Sequence, residues 1–435
     1  MALGGGTFTA QNKTLPGVYH NFVSLASANA TLSERGIATM PLELDWGVEG
    51  KVFEVTNTDF HENSERIFGY PYNHSNMKGL RDLFKNITTL YAYRLNGGGT
   101  KASNGTAVAK YSGVRGNDIK IVIQKNVDDT TMYDVKTVLG NTVVDVQTIK
   151  EWDSITDNDY VTFLPKDGIE ETAGEPLTGG TNGTVTGESH QNYIDKIESY
   201  AFNALGVITT DDNINALYAM FCKRLREEMG VKFQAVLYNM PGDYEGIVNV
   251  KNKVKNPGYS EACLVYWVTG IIAGCPVNKS NLNKKYDGEF DVETNYTQAQ
   301  LIQAIKNGEF TLHNVGADIR VLEDINSLVT VTGEKGDIFK DNQSIRVIDQ
   351  IANDTAVLFN TKYLGVVPND ASGRISLWAD LVKQRNELQT IRAIENFKDA
   401  DLTVEKGEGK KSVVVKEAIE VVNAMAKLYV TTTIA

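Results

Sequence analysis

The chain has 435 residues, 42% of them hydrophobic and 23% charged, which is enough for two or three domains with real cores and excludes disorder along its whole length. Its net charge is −12, and its adjacent basic pairs (Lys223-Arg224, Lys284-Lys285 and Lys410-Lys411) grow into no patch, so nothing here neutralises a nucleic-acid backbone. The longest apolar run, Cys263 to Val277, falls short of the roughly 20 residues of a membrane span and reads as a buried helix ending near Pro276.

Cys222, Cys263 and Cys275 are odd in number and show no C-x-x-C spacing, as expected of small buried thiols in a reducing compartment. Met1 to Gly6 carry neither a basic nor an apolar signal region, so synthesis in the cytoplasm is expected.

Residues 1–24 read as an arm. A flexible Gly4-Gly5-Gly6 precedes extended chain in which Val18, His20 and Phe22 face one way and Tyr19, Asn21 and Val23 the other. From Arg35 to Tyr93 the pattern is strand–helix–strand. "GIATMPLELDW", "KVFEV" and "TLYAYRL" are strands. "SNMKGLRDLFKNI" is a helix with Ser75 as its N-cap and Leu80, Leu83, Phe84 and Ile87 on one face.

At Gly97-Gly98-Gly99 the texture changes. Short alternating runs, "TAVAKYSG", "DIKIVIQKN", "YDVKTVL", "TVVDVQTI" and "DYVTFLP", are separated by turn clusters, which predicts a small β-sandwich. The flanking glycine stretches, Gly97 to Gly99 and "LTGGTNGTVTG", read as hinges. After Glu188 helices and strands alternate as a parallel sheet requires, with a helix opening at Asp211 or Asp212 and stopping at Gly230. The last third offers a helix ending at Gly308, then two or three strands up to Thr332, then two amphipathic helices. Ile345, Ile348, Ala352, Thr355 and Phe359 form the stripe of the first. Trp378, Leu381, Val382, Arg385 and Leu388 form that of the second, with Arg385 the poor fit. Two strands close the sequence, "VVVKEAIEVV" and "KLYVTTTIA".

Catalytic constellations are missing. His20, His61, His74, His190 and His313 are scattered, and no G-x-S-x-G elbow accompanies them. "NGGGTKASNG", "VTGEKGD" and "GVRGND" fail the phosphate-loop template, and the acidic turns lack EF-hand spacing. No catalytic, cofactor or metal residue is expected.

"AKYSGVRGNDIKIVI" resembles the signature opening the β-sandwich of contractile tail sheath proteins, and "LTGGTNGTVTGESHQNYIDKIESYAFNAL" resembles the one that follows it. "TFTAQNKTLPGVYHNF" and "AMAKLYVTTTIA" look like that family's terminal arms, so the four matches run in family order from end to end. The resemblance points to a sheath of a myovirus-like phage or an R-type bacteriocin. It implies an α/β core, subtilisin-like but non-catalytic, over residues 25–97 and 188–294, with a β-sandwich inserted at 98–187. An α+β domain at 295–409 and a second arm at 410–435 complete the expected fold.

The resemblance further implies a structural subunit, not an enzyme. It implies stacked hexameric rings around an inner tube, with baseplate and terminal tail proteins as partners, no nucleic acid and no direct membrane insertion, in a particle released by lysis. The assembly interface is then expected at Phe8, Leu15, Val18, Tyr19 and Phe22 in the first arm. In the last arm it is expected at Val413, Val415, Ile419, Val421, Leu428, Tyr429, Val430, Thr432 and Ile434. An exposed strand there adds to a neighbour's sheet edge. The residues alone leave open a return of the last strand to its own sheet. They also leave open a surface-binding β protein or a degenerate subtilisin-like hydrolase.

Overall fold

The computed structural model describes residues 32–434. In chain order it begins with β1 (Ile37–Leu42), β2 (Phe53–Thr56), α1 (Asn57–Phe68), α2 (Lys78–Phe84) and β3 (Thr89–Arg94). Then come β4 (Ala107–Ala109), β5 (Ile119–Lys125), β6 (Tyr133–Leu139), β7 (Thr142–Ile149), β8 (Val161–Phe163) and β9 (Thr172–Pro176). The helices and strands α3 (Gly187–Ile197), β10 (Ala204–Gly206), α4 (Asp212–Arg224), β11 (Gln234–Tyr238), β12 (Ile247–Val250) and α5 (Leu264–Gly274) follow. Next are α6 (Gln298–Lys306), β13 (Glu309–Phe310), β14 (Leu312–Val315) and β15 (Asp318–Val321). The last elements are α7 (Asn342–Leu358), α8 (Ala371–Thr390), β16 (Ile394–Glu395), β17 (Leu402–Lys406), β18 (Val413–Glu417) and β19 (Glu420–Val421). The described residues cluster as two units, 34–349 with 423–434, and 32–33 with 350–422.

In the first unit a seven-stranded sheet runs in the order β13-β12-β11-β10-β1-β3-β2. Every pair is parallel except β2 with β3. Side-chain alternation explains the two-faced core. Ala38, Met40 and Leu42 of β1 pack with Leu80, Leu83 and Trp267 on one face. Leu205, Ala235 and Leu237 pack with Tyr193, Tyr218 and Phe221 on the other. Thr39 turns to that second face, where its hydroxyl lies 2.7 Å from that of Tyr193.

Local sequence sets the helix ends. Thr56 and Asp59 form a capping box on α1, and Gly69 stops it in the left-handed region at φ 80°. Asp211 caps α4. The expected cap at Ser75 is displaced: His74 accepts from the Asn76 N–H and opens a 3₁₀ turn, and α2 starts only at Lys78. Leu80, Leu83, Phe84 and Ile87 are buried as the periodicity predicts.

Between β3 and α3, the sheet β7-β6-β5-β9 and the pair β4-β8 enclose a second core of Ile119, Ile121, Ile123, Val135, Leu139 and Val161. Trp46, which follows β1, is buried in this same core. The flanking glycine stretches are not hinges. Thr181 N–H donates to Thr100 O at 3.0 Å and Gly183 N–H to Asn96 O at 3.0 Å, so the two crossings lie side by side. A Cβ on Gly183 would sit 2.0 Å from Gly97 O, so glycine serves here for close backbone approach. Arg94, fully buried, donates to Gly47 O and Ser112 O and secures the same junction.

The sequence reading divides the chain at 294 and 295, whereas the contacts divide it at 349 and 350. The reason is β13, which is the edge strand of the seven-stranded sheet and takes α6 with it.

In the second unit the part of α7 from Gln350 continues through a π turn, Phe359–Tyr363, toward α8. The buried stripe of α7 is Val347, Ile351, Asp354 and Leu358, while Ile348, Ala352, Thr355 and Phe359 of the expected stripe are half-buried and Ile345 is buried. The shift arises because Asp354 is a satisfied buried carboxylate: Ser33 Oγ donates to it at 2.5 Å and Gln350 Nε2 at 2.8 Å. Arg385 of α8 is likewise no misfit. It is 1% exposed and binds Glu417 through two nitrogens at 2.7 and 3.0 Å.

Candidate assembly surfaces

The sequence of the second unit builds a small open hairpin. β17 and β18 pair antiparallel, with Val404 opposite Val415 and Lys406 opposite Val413. Leu402 anchors β17 to α8, where the Trp378 indole donates to Leu402 O at 2.9 Å. The sheet stops at two strands, so each outer edge presents unpaired backbone groups among the described residues.

This arrangement corrects the reading of 413–422 as one limb of an arm. Val413 and Val415 belong to the hairpin of their own chain. At Ala418 the strand breaks, because Ala418 N–H donates to Asp401 O at 3.1 Å and Arg385 holds Glu417. Ile419 lies in the break, and Val421 pairs with Ile394 in a separate two-residue ladder. Phe8, Leu15, Val18, Tyr19 and Phe22 lie outside the described residues.

The arm proper starts one step later, in the first unit. Asn423 Nδ2 donates to Asp341 Oδ1 at 2.8 Å, and Ala424 N–H donates to Gln343 Oε1 at 2.9 Å. Asp341 also accepts from Ser344 N–H at 2.7 Å, so one carboxylate both caps α7 and holds the arm base. Its burial raises its pKa, against the lowering effect of the Ser344 bonds.

Beyond Ala424 the chain has no regular structure to Ile434, so the strand expected over Lys427 to Ile434 is not formed. Among the described residues no neighbouring strand supplies its backbone partners. Leu428 is 88% exposed, Tyr429 87%, Val430 73% and Ile434 90%, and Thr432 is exposed with them. So many apolar side chains in water on one segment mark an interaction surface. The sequence pattern located this segment. It missed Asn423, Gln343 and Asp341, since their role depends on residues about 80 positions apart.

A cavity of about 620 Å³ in the second unit lies between the π turn, the start of α8 and the hairpin tip. Phe359, Tyr363, Leu364, Val367, Arg374 and Lys411 line it. Leu364 and Val366 beside it are exposed.

Among the described residues no group of three His, Cys, Asp or Glu side chains is placed to hold a metal. Burial raises the Cys222 thiol to about 12 and the Cys263 thiol to about 11, which leaves both inert as nucleophiles. Among the described residues no helix is long and apolar enough to cross a membrane.

A multidomain protein that presents an exposed apolar segment beyond a fixed base is the class these features define. Residues 35–95 match the N-terminal region of domain III of the tail sheath protein Gp18, 89–182 the phage tail sheath β-sandwich domain, 183–327 the central domain and 334–435 the C-terminal domain. The chain is 32% identical to the phage-like element PBSX protein XkdK of Bacillus subtilis, over 98% of this chain and 99% of that one. The sheath tail protein of Desulfitobacterium hafniense superposes with a TM-score of 0.82 at 37% identity, covering 95% of this chain and 99% of that one. The contracted helical sheath of the anti-feeding prophage shares the fold at a TM-score of 0.55 and 11% identity, covering 97% of this chain and 99% of that one. This chain belongs to the phage tail sheath family, whose members are structural and non-enzymatic, and the hydrolase alternative is set aside.

Proposed function

We propose that this protein is the repeating subunit of a contractile tail sheath. Its copies stack as hexameric rings around an inner tube, bounded by baseplate and terminal tail proteins, and contraction drives the tube through a bacterial envelope. Strand exchange ties the neighbours: the segment around Leu428 to Ile434 of one copy adds to an open edge of the β17–β18 hairpin of the next. The core serves as a subtilisin-like scaffold without a working triad.

One observation carries this reading. An apolar segment stands in water beyond a fixed base at Asn423 and Ala424, while the same chain holds a two-stranded sheet with unused edges. Each needs what the other offers. Backbone bonds of about 0.5–1.5 kcal/mol each supply affinity, and alternate side chains supply register. Donor and acceptor surfaces differ, so the contact is heterologous and propagates as an open helix. The anti-feeding prophage sheath, a helical assembly of the same fold, fits that geometry.

The experiment is deletion of Leu428 to Ala435. The truncated protein is expected to keep the melting curve of the full chain and to form no tubes or ring stacks under negative-stain microscopy, where the full chain forms them. Unfolding of the truncated protein would assign the segment to its own subunit.

A further inference from the structure

The central sheet carries a hollow whose lining takes nothing from the Leu428 to Ile434 segment or the β17–β18 hairpin. β1 is followed on one side by β3, and the next parallel strand, β10, lies on the opposite side of β1. The strand order therefore reverses between β1 and β10. In open α/β sheets such a reversal opens a crevice beyond the carboxyl ends of the strands, because the following connections diverge to opposite faces.

A cavity of about 390 Å³ occupies that place, within the roughly 300–1,000 Å³ range of ligand sites. Leu42 at the end of β1 and Glu43 after it, Leu95 after β3, Thr209 and Asp211 after β10, and Tyr266 of α5 line it. A second hollow of about 210 Å³ shares Leu42, Glu43 and Tyr266 with it.

The polar groups define the ligand. Neither lining contains Lys or Arg. Each of the two helix starts facing the crevice carries its own side-chain cap. Thr186 caps α3, and Asp211 Oδ1 accepts from Asn213 N–H at 2.8 Å and from Ile214 N–H at 3.4 Å. An anion thus finds no cationic side chain in the lining and meets two carboxylates. His190, also in the lining, has Nδ1 committed to the Tyr218 hydroxyl at 2.9 Å, and burial lowers its pKa, so it adds no positive charge at neutral pH. Glu43 has no hydrogen bond or ion pair among the described residues, and the Tyr266 hydroxyl has no hydrogen bond there. Burial, with Cys263 and Glu43 nearby, keeps that hydroxyl protonated.

We propose that this crevice binds a small organic cation, an ammonium group on an unbranched aliphatic stem. Glu43 supplies the counter-charge, Asp211 Oδ2 and the Tyr266 hydroxyl accept hydrogen bonds, and Leu42 and Leu95 cover the stem. The site is independent of the arms and of the sheath reading.

The test is titration of the full-length protein with pentylamine, followed by ligand-detected NMR, with pentanoate as the charge-reversed control. Saturable pentylamine binding is expected, at least about tenfold tighter than pentanoate, and Glu43→Gln is expected to weaken it at least about tenfold. Glu43 is exposed and has no partner among the described residues, so this variant keeps the fold. Absence of saturation up to about 10 mM pentylamine, equal binding of pentanoate, or full binding by Glu43→Gln each overturns the proposal.

Discussion

The Asn423 side-chain amide reaches Asp341 Oδ1 at 2.8 Å, and from the next residues onward the chain stands in water. The bond thus separates a held segment from a presented one. Replacing Asn423 by Ala removes it together with the Ser344 contacts at 2.9 and 3.2 Å, at a cost of about 0.5–1.5 kcal/mol. The expected outcome is a slightly lowered denaturation midpoint and a larger loss in assembly rate, since an arm with a free base samples more directions. Light-scattering kinetics beside urea denaturation check it; an unchanged assembly rate would show that the base does not aim the arm.

A larger effect is expected at the buried pair Arg226 and Asp349. Two Arg226 nitrogens bind the Asp349 carboxylate at 2.6 and 2.8 Å, and both side chains are buried. Asp349→Ala leaves a buried guanidinium without its partner, which costs about 3–5 kcal/mol. The double change Arg226→Met with Asp349→Leu removes the charge as well and is expected to recover most of that loss. Guanidinium unfolding of the two variants decides it; equal losses in both would mean that packing, not charge, sets the cost.

Much of this fold was legible in local pattern. Strands β4 to β8 of the inserted sandwich, the buried Cys263 helix and the stop at Gly230 followed from alternation, hydrophobicity and a left-handed glycine. β9, β12, β16, β17 and α1 were not read. β12 is a four-residue strand, and the α1 sequence "NTDFHENSERIF" buries only Phe60, Ser64 and Phe68, too few apolar positions for a periodic signal. Asp354 misled the stripe of α7, and Arg385 looked like a poor fit in the correct stripe of α8, because a paired buried charge looks like a surface residue until its partner is known. The arm shows the same limit. Its apolar alternation was visible, but strand formation needs a second edge that local sequence does not name.

His190 gives stability a pH dependence of defined sign. Burial lowers its pKa below the ordinary value of about 6.5, so between the folded and unfolded values the unfolded chain binds more protons. Stability from this group is complete above about pH 6.5 and falls as the pH drops toward the folded value. His190→Gln is expected to flatten that portion of the curve while costing a constant amount from the lost Tyr218 contact. Chemical denaturation at stepped pH from 7.5 down to about 5 tests it; parallel curves for the two proteins would remove His190 as the source.

Removing the inserted domain is the severest test of how the first unit is built. The crossings at Asn96 and Gly183 are bonded at 3.0 Å, so a short glycine-serine loop can replace residues 98–182 without stretching the sheet. The seven-stranded sheet keeps all its strands in such a deletion, and it is expected to unfold cooperatively. Trp46 is the cost. It is 1% exposed and packs edge-on against Tyr111 at 5.2 Å, so the deletion strands a large aromatic side chain in water. The deletion alone is therefore expected to aggregate and to shift tryptophan emission to the red. The same deletion with Trp46→Ser is expected to stay monodisperse by size exclusion. If the serine variant also aggregates, the sandwich does more than cover Trp46, and the buried Arg94 contacts to Gly47 and Ser112 become the next group to examine.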